Sequence, residues 1–243
     1  MPKNTNPVTQ KSGTSINLLL TAIVVVVAVV VIGGVLLFNR GGGGGEGGVS
    51  PELLRNPDSN VLVEAPDDKV TVVEFLDYQC PSCQQYYEGV TKQIEADYEG
   101  RINFVTRNFP LEMHPLAQPA AKAAEAAALQ GKYKEMYHAI YDNWQEWAVA
   151  PGGQDYARDP AKATQQFAGY AEGIGLDMQR YAQDVDSEQV QSRIDRDMQD
   201  GQQAGVSGTP TIFVNGEQFN STGQDLNQVN QELRGKIDEE LQK

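Results

Sequence analysis

The residues best suited to chemistry are Cys80 and Cys83, the chain's two cysteines, in Asp77-Tyr-Gln-Cys-Pro-Ser-Cys83. A spacing of three places their sulfurs one helical turn apart, within reach of a disulfide. Pro81 fits the first turn of a helix, where its missing N–H costs nothing. Cys80 then sits at the helix start, where unpaired N–H groups and the dipole stabilise a thiolate, while Cys83 is expected to be more buried and less acidic. That asymmetry assigns roles. A substrate thiolate attacks Cys80 of the disulfide and expels Cys83, and a second substrate thiolate resolves the mixed disulfide, so that substrate leaves oxidised and the pair reduced. Two other readings are weaker. Half a zinc site needs two more ligands, and His114 and His138 lie far from finger or ribbon spacings, so no metal is expected. A purely structural disulfide would close a loop too short to restrict the unfolded chain much.

Such a pair needs a strand before it and a helix after it. Val70-Thr-Val-Val-Glu-Phe-Leu76 is a short, β-branched, nearly all-apolar run suited to a central strand covered on both faces. A helical stretch to about Tyr98 follows, and Ile102-Asn-Phe-Val-Thr-Arg107 reads as a second strand, implying a parallel crossover. From 116 to about 204 the pattern is helical: an Ala-rich run at 120–130, a 3-4 spacing through Tyr133, Met136, Tyr137, Ile140, Tyr141 and Trp144, an Asp159-Pro160 cap, then Val190, Ile194 and Met198. The aromatic spacing is explained by helix–helix core. Pro210-Thr-Ile-Phe-Val214, Asn215-Gly216 and Glu217-Gln-Phe-Asn-Ser221 predict a hairpin with a tight primed turn. A last helix, capped by Asp225, carries a stripe of Leu226, Val229, Leu233, Ile237 and Leu241. The order βαβ, helical insertion, ββα makes one α/β sheet from the two ends of the segment.

The chain has 243 residues, with 19 basic against 33 acidic side chains. Residues 1–40 hold Lys3, Lys11 and Arg40 and no acid, leaving 16 basic against 33 acidic, hence −17, on the remainder. An acidic body repels a polyanion, so no nucleic-acid partner is expected. From Ile16 to Phe38 run 23 residues without a charge, a helix of roughly 34 Å, enough to cross a hydrocarbon core of ~30 Å. The run is longer than a signal-peptide core and lacks a small-x-small site after it, so an uncleaved anchor in the lipid bilayer is expected. Lys3 and Lys11 favour a cytoplasmic N-terminus over 1–15, which puts the acidic part outside the cytoplasm, with a single pass through the cell membrane. Residues 39–60, opening on a Gly-rich stretch, are expected to be a flexible tether of ~25 Å reach, with the folded domain at 61–243.

Val72-Val-Glu-Phe-Leu-Asp-Tyr-Gln-Cys-Pro-Ser-Cys83, together with Gly208-Thr-Pro-Thr-Ile-Phe-Val-Asn-Gly216, resembles the DsbA-like thiol-disulfide oxidoreductases of the thioredoxin superfamily. Phe109-Pro-Leu-Glu-Met-His-Pro115 is similar to the membrane-anchored, Gram-positive-type branch. The resemblance covers 61–243 and implies a thioredoxin fold with an inserted helical domain. It implies Cys80 as nucleophile and Cys83 as resolving thiol, with Pro81 and Ser82 tuning the pair. Thr209-Pro210 would be a cis-proline loop that binds an extended substrate; on its residues alone Pro210 reads as an ordinary strand-starting proline. Glu74 matches a buried acid that exchanges the proton of Cys83 through water, though on its residues alone it could as well point out of a half-exposed strand.

Pro81-Ser82 departs from the best-known Pro-His dipeptide, so a histidine able to stabilise the Cys80 thiolate is absent there. Thr209 stands where Val is frequent. His114 and His138 lie outside the motif and read as structural or surface residues. The resemblance implies a monomer with no cofactor beyond the Cys80–Cys83 disulfide. Reduced or unfolded exported proteins would be its substrates and a membrane reoxidase of DsbB or VKOR type its partner. A tethered reductase or isomerase, or a non-enzymatic chaperone or copper carrier, are the alternatives.

Overall fold

In the computed structural model, residues 48–153 and 155–243 are described. The expected anchor at 16–38, the segment 1–15 and the first part of the expected tether lie outside them. Among the described residues no helix is long and apolar enough to cross a membrane.

The elements are α1 (Pro51–Leu54), β1 (Asn60–Val63), β2 (Thr71–Leu76), α2 (Pro81–Tyr86), a π turn over Tyr87–Thr91, α3 (Lys92–Asp97), β3 (Asn103–Asn108), α4 (Ala117–Ala128), α5 (Tyr133–Asp142), α6 (Trp144–Trp147), α7 (Pro160–Gly173), α8 (Met178–Asp184), α9 (Glu188–Gln203), β4 (Thr211–Val214), β5 (Glu217–Phe219) and α10 (Leu226–Gln242). They form a mixed five-stranded sheet in the order β1-β3-β2-β4-β5. β2 runs parallel to β3 and antiparallel to β4, so the two ends of the chain segment meet on the central strand and the insertion of α4 to α9 leaves from β3.

Strand alternation splits the core between the two sheet faces. Val72 and Leu76 pack with the helices of the larger cluster, and Val73 and Phe75 with Val105, Phe109, Phe213 and Leu54 on the other face. Gly201 of α9 comes down on that second face. A Cβ there would lie 2.8 Å from Phe109 and 2.9 Å from Phe75, so only glycine lets the helix approach. The Asn215-Gly216 turn has φ of 48° and 88° at its two residues, the left-handed pair that a primed hairpin turn requires. Asp159 and Asp225 cap α7 and α10 as expected, accepting from Ala161 and Lys162, and from Gln228.

Residues 49–60, expected to belong to the tether over 39–60, are part of the folded domain. From Val49 the chain is docked: its N–H bonds the Gly216 carbonyl at 2.8 Å, α1 buries Leu54, and β1 starts at Asn60 and pairs with β3. One anchor of this docking is Arg107 on β3. Its fully buried guanidinium donates to the carbonyls of Leu53 and Leu54 at 3.1 and 2.7 Å and to Asp197 and Asp200 at 2.6 Å each. A buried cation needs its donors satisfied, and the end of α1 supplies carbonyls that α9 does not.

Candidate active site

Cys80 is the N-cap of α2, with Pro81 in the first turn, so the pair opens the helix as the spacing predicts. Cys80 is 6% exposed and Cys83 fully buried. Ser82 is exposed and Pro81 half-buried. Both cysteines are thiols. The hydrogen bond from Cys83 is the largest influence on Cys80 and, with the N–H groups of Cys83 and Ser82 and with Thr209, outweighs burial and brings its pKa from 9.0 to about 5. Burial pushes the Cys83 thiol well up, and the charges of Cys80 and Glu74 push it further. The Asp77 N–H, 3.5 Å from the Cys83 sulfur, works weakly the other way. One sulfur is built to be a thiolate and the other to hold its proton.

Glu74 shares the sheet face of Val72 and Leu76 on β2 and is 1% exposed. Burial raises its carboxyl from 4.5 to about 8, against a hydrogen bond from the Thr91 hydroxyl at 3.2 Å. Thr91 comes from the π turn, a widening of the helix that breaks the regular ladder between α2 and α3. Glu74 is thus a protonatable group beneath Cys83. Thr209 and Pro210, over 120 residues away in sequence, close the other side. The peptide bond between them is cis, and the Cys80 sulfur stands 3.5 Å from the Thr209 carbonyl oxygen. All seven residues singled out in the sequence therefore gather at one end of β2 and β4.

Sequence reasoning missed the residues that hold this loop still. Asp77 is buried. Its carbonyl accepts from the Cys80 N–H at 3.1 Å, and its carboxylate accepts from the N–H groups of Gln79 and Leu111, both at 2.8 Å, and from Nδ1 of His114 at 2.6 Å. Gln79, fully buried, ties the loop to the insertion: its amide donates to the carbonyls of Ala148 and Ala157 and accepts from the Leu116 N–H. Trp144 Nε1 donates to the Tyr78 carbonyl at 2.9 Å. The tyrosines read as helix–helix core on α5 pack on this loop and on the π turn: Tyr141 lies 5.3 Å from Tyr78 and stacks on Tyr87 at 4.8 Å, centroid to centroid. The available signal was two polar residues, Asp77 and Gln79, flanking an aromatic at the end of an apolar strand. His138 lies apart from the pair, bonded to Tyr87 and Glu95.

The family model described as Thioredoxin matches residues 59–238. Curated relatives include the Na(+)/H(+) antiporter NhaA 1 of Mycolicibacterium gilvum, 35% identical over 173 residues that make up 68% of this chain and 25% of that protein. Another is the Na(+)/H(+) antiporter NhaA 3 of Salinispora tropica, 38% identical over 63% of this chain and 21% of that protein. The chain spans about a quarter of the length of the curated relatives it matches. Among solved structures, a thioredoxin-like oxidoreductase from Silicibacter pomeroyi superposes with a TM-score of 0.58 at 25% identity, over 78% of this chain and 99% of that one. BdbD from Bacillus subtilis gives 0.58 at 24% identity over 81% and 97% of the two chains, a likeness of fold. So does the thiol-disulfide exchange protein alpha-DsbA2 from Wolbachia pipientis, with 0.60 at 22% identity over 77% and 90%.

Proposed function

The chain belongs to the thioredoxin family, and from that premise we propose that it is a thiol-disulfide oxidoreductase that forms disulfides in exported proteins at Cys80 and Cys83. What carries the reading is the opposed state of the two sulfurs, a thiolate at the helix start and a buried thiol one turn inside. A thiolate stabilised in the reduced enzyme makes the disulfide a stronger oxidant. The fold of the DsbA-type neighbours and the Cys80 contact with Thr209 support the same reading.

In the oxidised enzyme a substrate thiolate attacks the Cys80 sulfur. The Cys80–Cys83 bond breaks, the electron pair leaves on Cys83, and Cys83 takes a proton, for which Glu74 is the buried donor. An extended substrate pairs with the backbone at Thr209, beside Pro210, and presents its sulfur to Cys80. A second substrate thiolate then attacks the substrate sulfur of the mixed disulfide and releases the Cys80 thiolate. Two electrons have passed to the enzyme. Pro81 starts the helix and the Ser82 N–H helps hold the charge on Cys80. Reoxidation requires an electron acceptor, in this reading a membrane reoxidase of DsbB or VKOR type.

The charge-free run at 16–38 would anchor the domain on the outer side of the cell membrane as a monomer, in reach of such a partner. The antiporter activity in the relatives' names is not carried over, because the match covers only about a quarter of their length. Equilibration with glutathione tests the reading. A reduction potential well above the ~−270 mV of thioredoxin is expected; a value in the thioredoxin range would overturn the oxidase and favour a tethered reductase.

A further inference from the structure

Asp77 poses an electrostatic problem that the exchange chemistry leaves unsolved. Its carboxyl group is buried, accepts from the N–H groups of Gln79 and Leu111 and faces Nδ1 of His114, and it is three residues from Cys80, with its own main chain bonded to Cys80 on one side and contacting the Cys83 sulfur on the other. A buried anion in that position would oppose a second anion on the Cys80 sulfur. His114 lies against it. The side chain is 3% exposed, its Nδ1 is 2.6 Å from the carboxylate, and Tyr156 packs edge-on against it with centroids 4.8 Å apart. Its main chain is fixed too, by a bond from its N–H to Leu111 and one from the Ala117 N–H to its carbonyl.

We propose that His114 is a positioning residue of the redox centre: held as an imidazolium by Asp77, it neutralises the carboxylate on which the Cys80–Cys83 loop is built and so favours the Cys80 thiolate. It supplies, from a loop 34 residues downstream, the positive charge that Ser82 cannot supply from within the motif. The hydrogen bond and charge of Asp77, together with the charge of Cys80, raise the imidazole pKa against its burial. The interaction is reciprocal, since a thiolate that favours the imidazolium is favoured by it in equal measure. The groups that bear on the ring are Asp77, Cys80 and the Tyr156 hydroxyl-bearing ring, while Cys83 and Glu74 act on Cys80 from beneath. The inference rests on the proposed exchange chemistry at Cys80, and its tests read the dithiol itself and need no substrate.

The experiment uses the full-length chain in detergent. His114→Gln keeps a donor for Asp77 and removes the charge. Thiolate absorbance at 240 nm should then show the Cys80 titration displaced to higher pH, and the equilibrium with glutathione should move about tenfold toward the disulfide, equivalent to ~30 mV. A folded variant with the native titration and the native equilibrium would overturn the role. The native protein gives a second measurement that does not depend on the variant folding. By NMR, the His114 ring should titrate at higher pH in the dithiol than in the disulfide, and the same midpoint in both forms would overturn it. A strongly oxidising native potential combined with either negative result would remove His114 alone and leave the oxidase reading standing.

Discussion

The Cys80 sulfur rests 3.5 Å from the carbonyl oxygen of Thr209, so the reactive atom and the backbone offered to a substrate strand are adjacent although 129 residues separate them. A peptide pairing with that backbone has its own cysteine delivered to Cys80, while Cys83, fully buried, is out of its reach. The mixed disulfide therefore forms on Cys80 only. Cys83→Ala, which cannot form the internal disulfide, should accumulate it by the reverse entry: the Cys80 thiolate attacks a disulfide of an exported protein, one substrate sulfur leaves as thiolate, and no internal thiol remains to resolve the adduct. Non-reducing gels of membranes expressing the variant should show Cys80-linked adducts that reductant dissolves and that Cys80→Ser abolishes; a variant that forms none would remove Cys80 as the attacking site.

Glu74 gives a prediction with a definite sign. Its carboxyl is raised from 4.5 to about 8 by burial, so the folded protein holds a proton that the unfolded chain has lost between those two values. Stability then falls as pH rises from 4.5 to 8 and is fully diminished above 8, by roughly 5 kcal/mol at ~1.36 kcal/mol per pH decade. In the disulfide form, where no thiol titrates, Glu74→Gln should flatten this limb and leave the variant more stable than the native protein at pH 9. It should also slow exchange by tenfold or more, since Cys83 loses its proton donor. Denaturation midpoints from pH 5 to 9, with stopped-flow exchange at pH 7, measure both; parallel pH curves would place Glu74 in contact with water.

Cys80 titrates in the opposite sense. A thiol lowered from 9.0 to about 5 adds stability to the folded dithiol that is absent below pH 5, grows as the pH rises, and is complete by about pH 9. Above that, the Cys83 thiol, raised by burial, begins to act against it. The disulfide form lacks the thiolate. The melting temperature of the dithiol form relative to the disulfide form should therefore climb between pH 5 and 9, and a constant difference would mean that Cys80 is an ordinary thiol.

The parts of this site that were legible in the sequence are those written in local pattern. The apolar run of β2, the proline inside the helix start and the Asn215-Gly216 turn each carry their own geometry. What escaped was fixed by pairs distant in sequence. Asp77 and His114 are 37 residues apart, and a polar residue after a strand gives no hint of which later histidine will meet it. Glu74 sits in a strand so uniformly apolar that its orientation had no alternation to betray it; only the resemblance pointed inward. Residues 49–60 read as tether because they are short of apolar pattern. They dock through partners distant in sequence, among them Arg107 at the carbonyls of Leu53 and Leu54 and Arg193 at Asp58.

That dependence on Arg107 makes the last prediction. Its guanidinium is fully buried between Asp197 and Asp200 of α9 and the carbonyls ending α1, and burial raises Asp197 even with the arginine present. Arg107→Met would keep most of the side-chain volume, leave two carboxylates without their cation and release two carbonyls. A loss of roughly 3–5 kcal/mol follows from stranding one half of a buried ion pair. The loss should be uneven in space. Leu54 contributes apolar contact but α1 is only four residues long, too short to persist without its C-terminal carbonyls held. Limited proteolysis of the native protein should spare residues 49–60, and in the variant cleavage should begin there under conditions where the Cys80 site and α10 remain protected. If the variant unfolds as a unit, with no earlier cut near α1, the segment is held by Leu54 and β1, and Arg107 serves the junction of β3 with α9 alone.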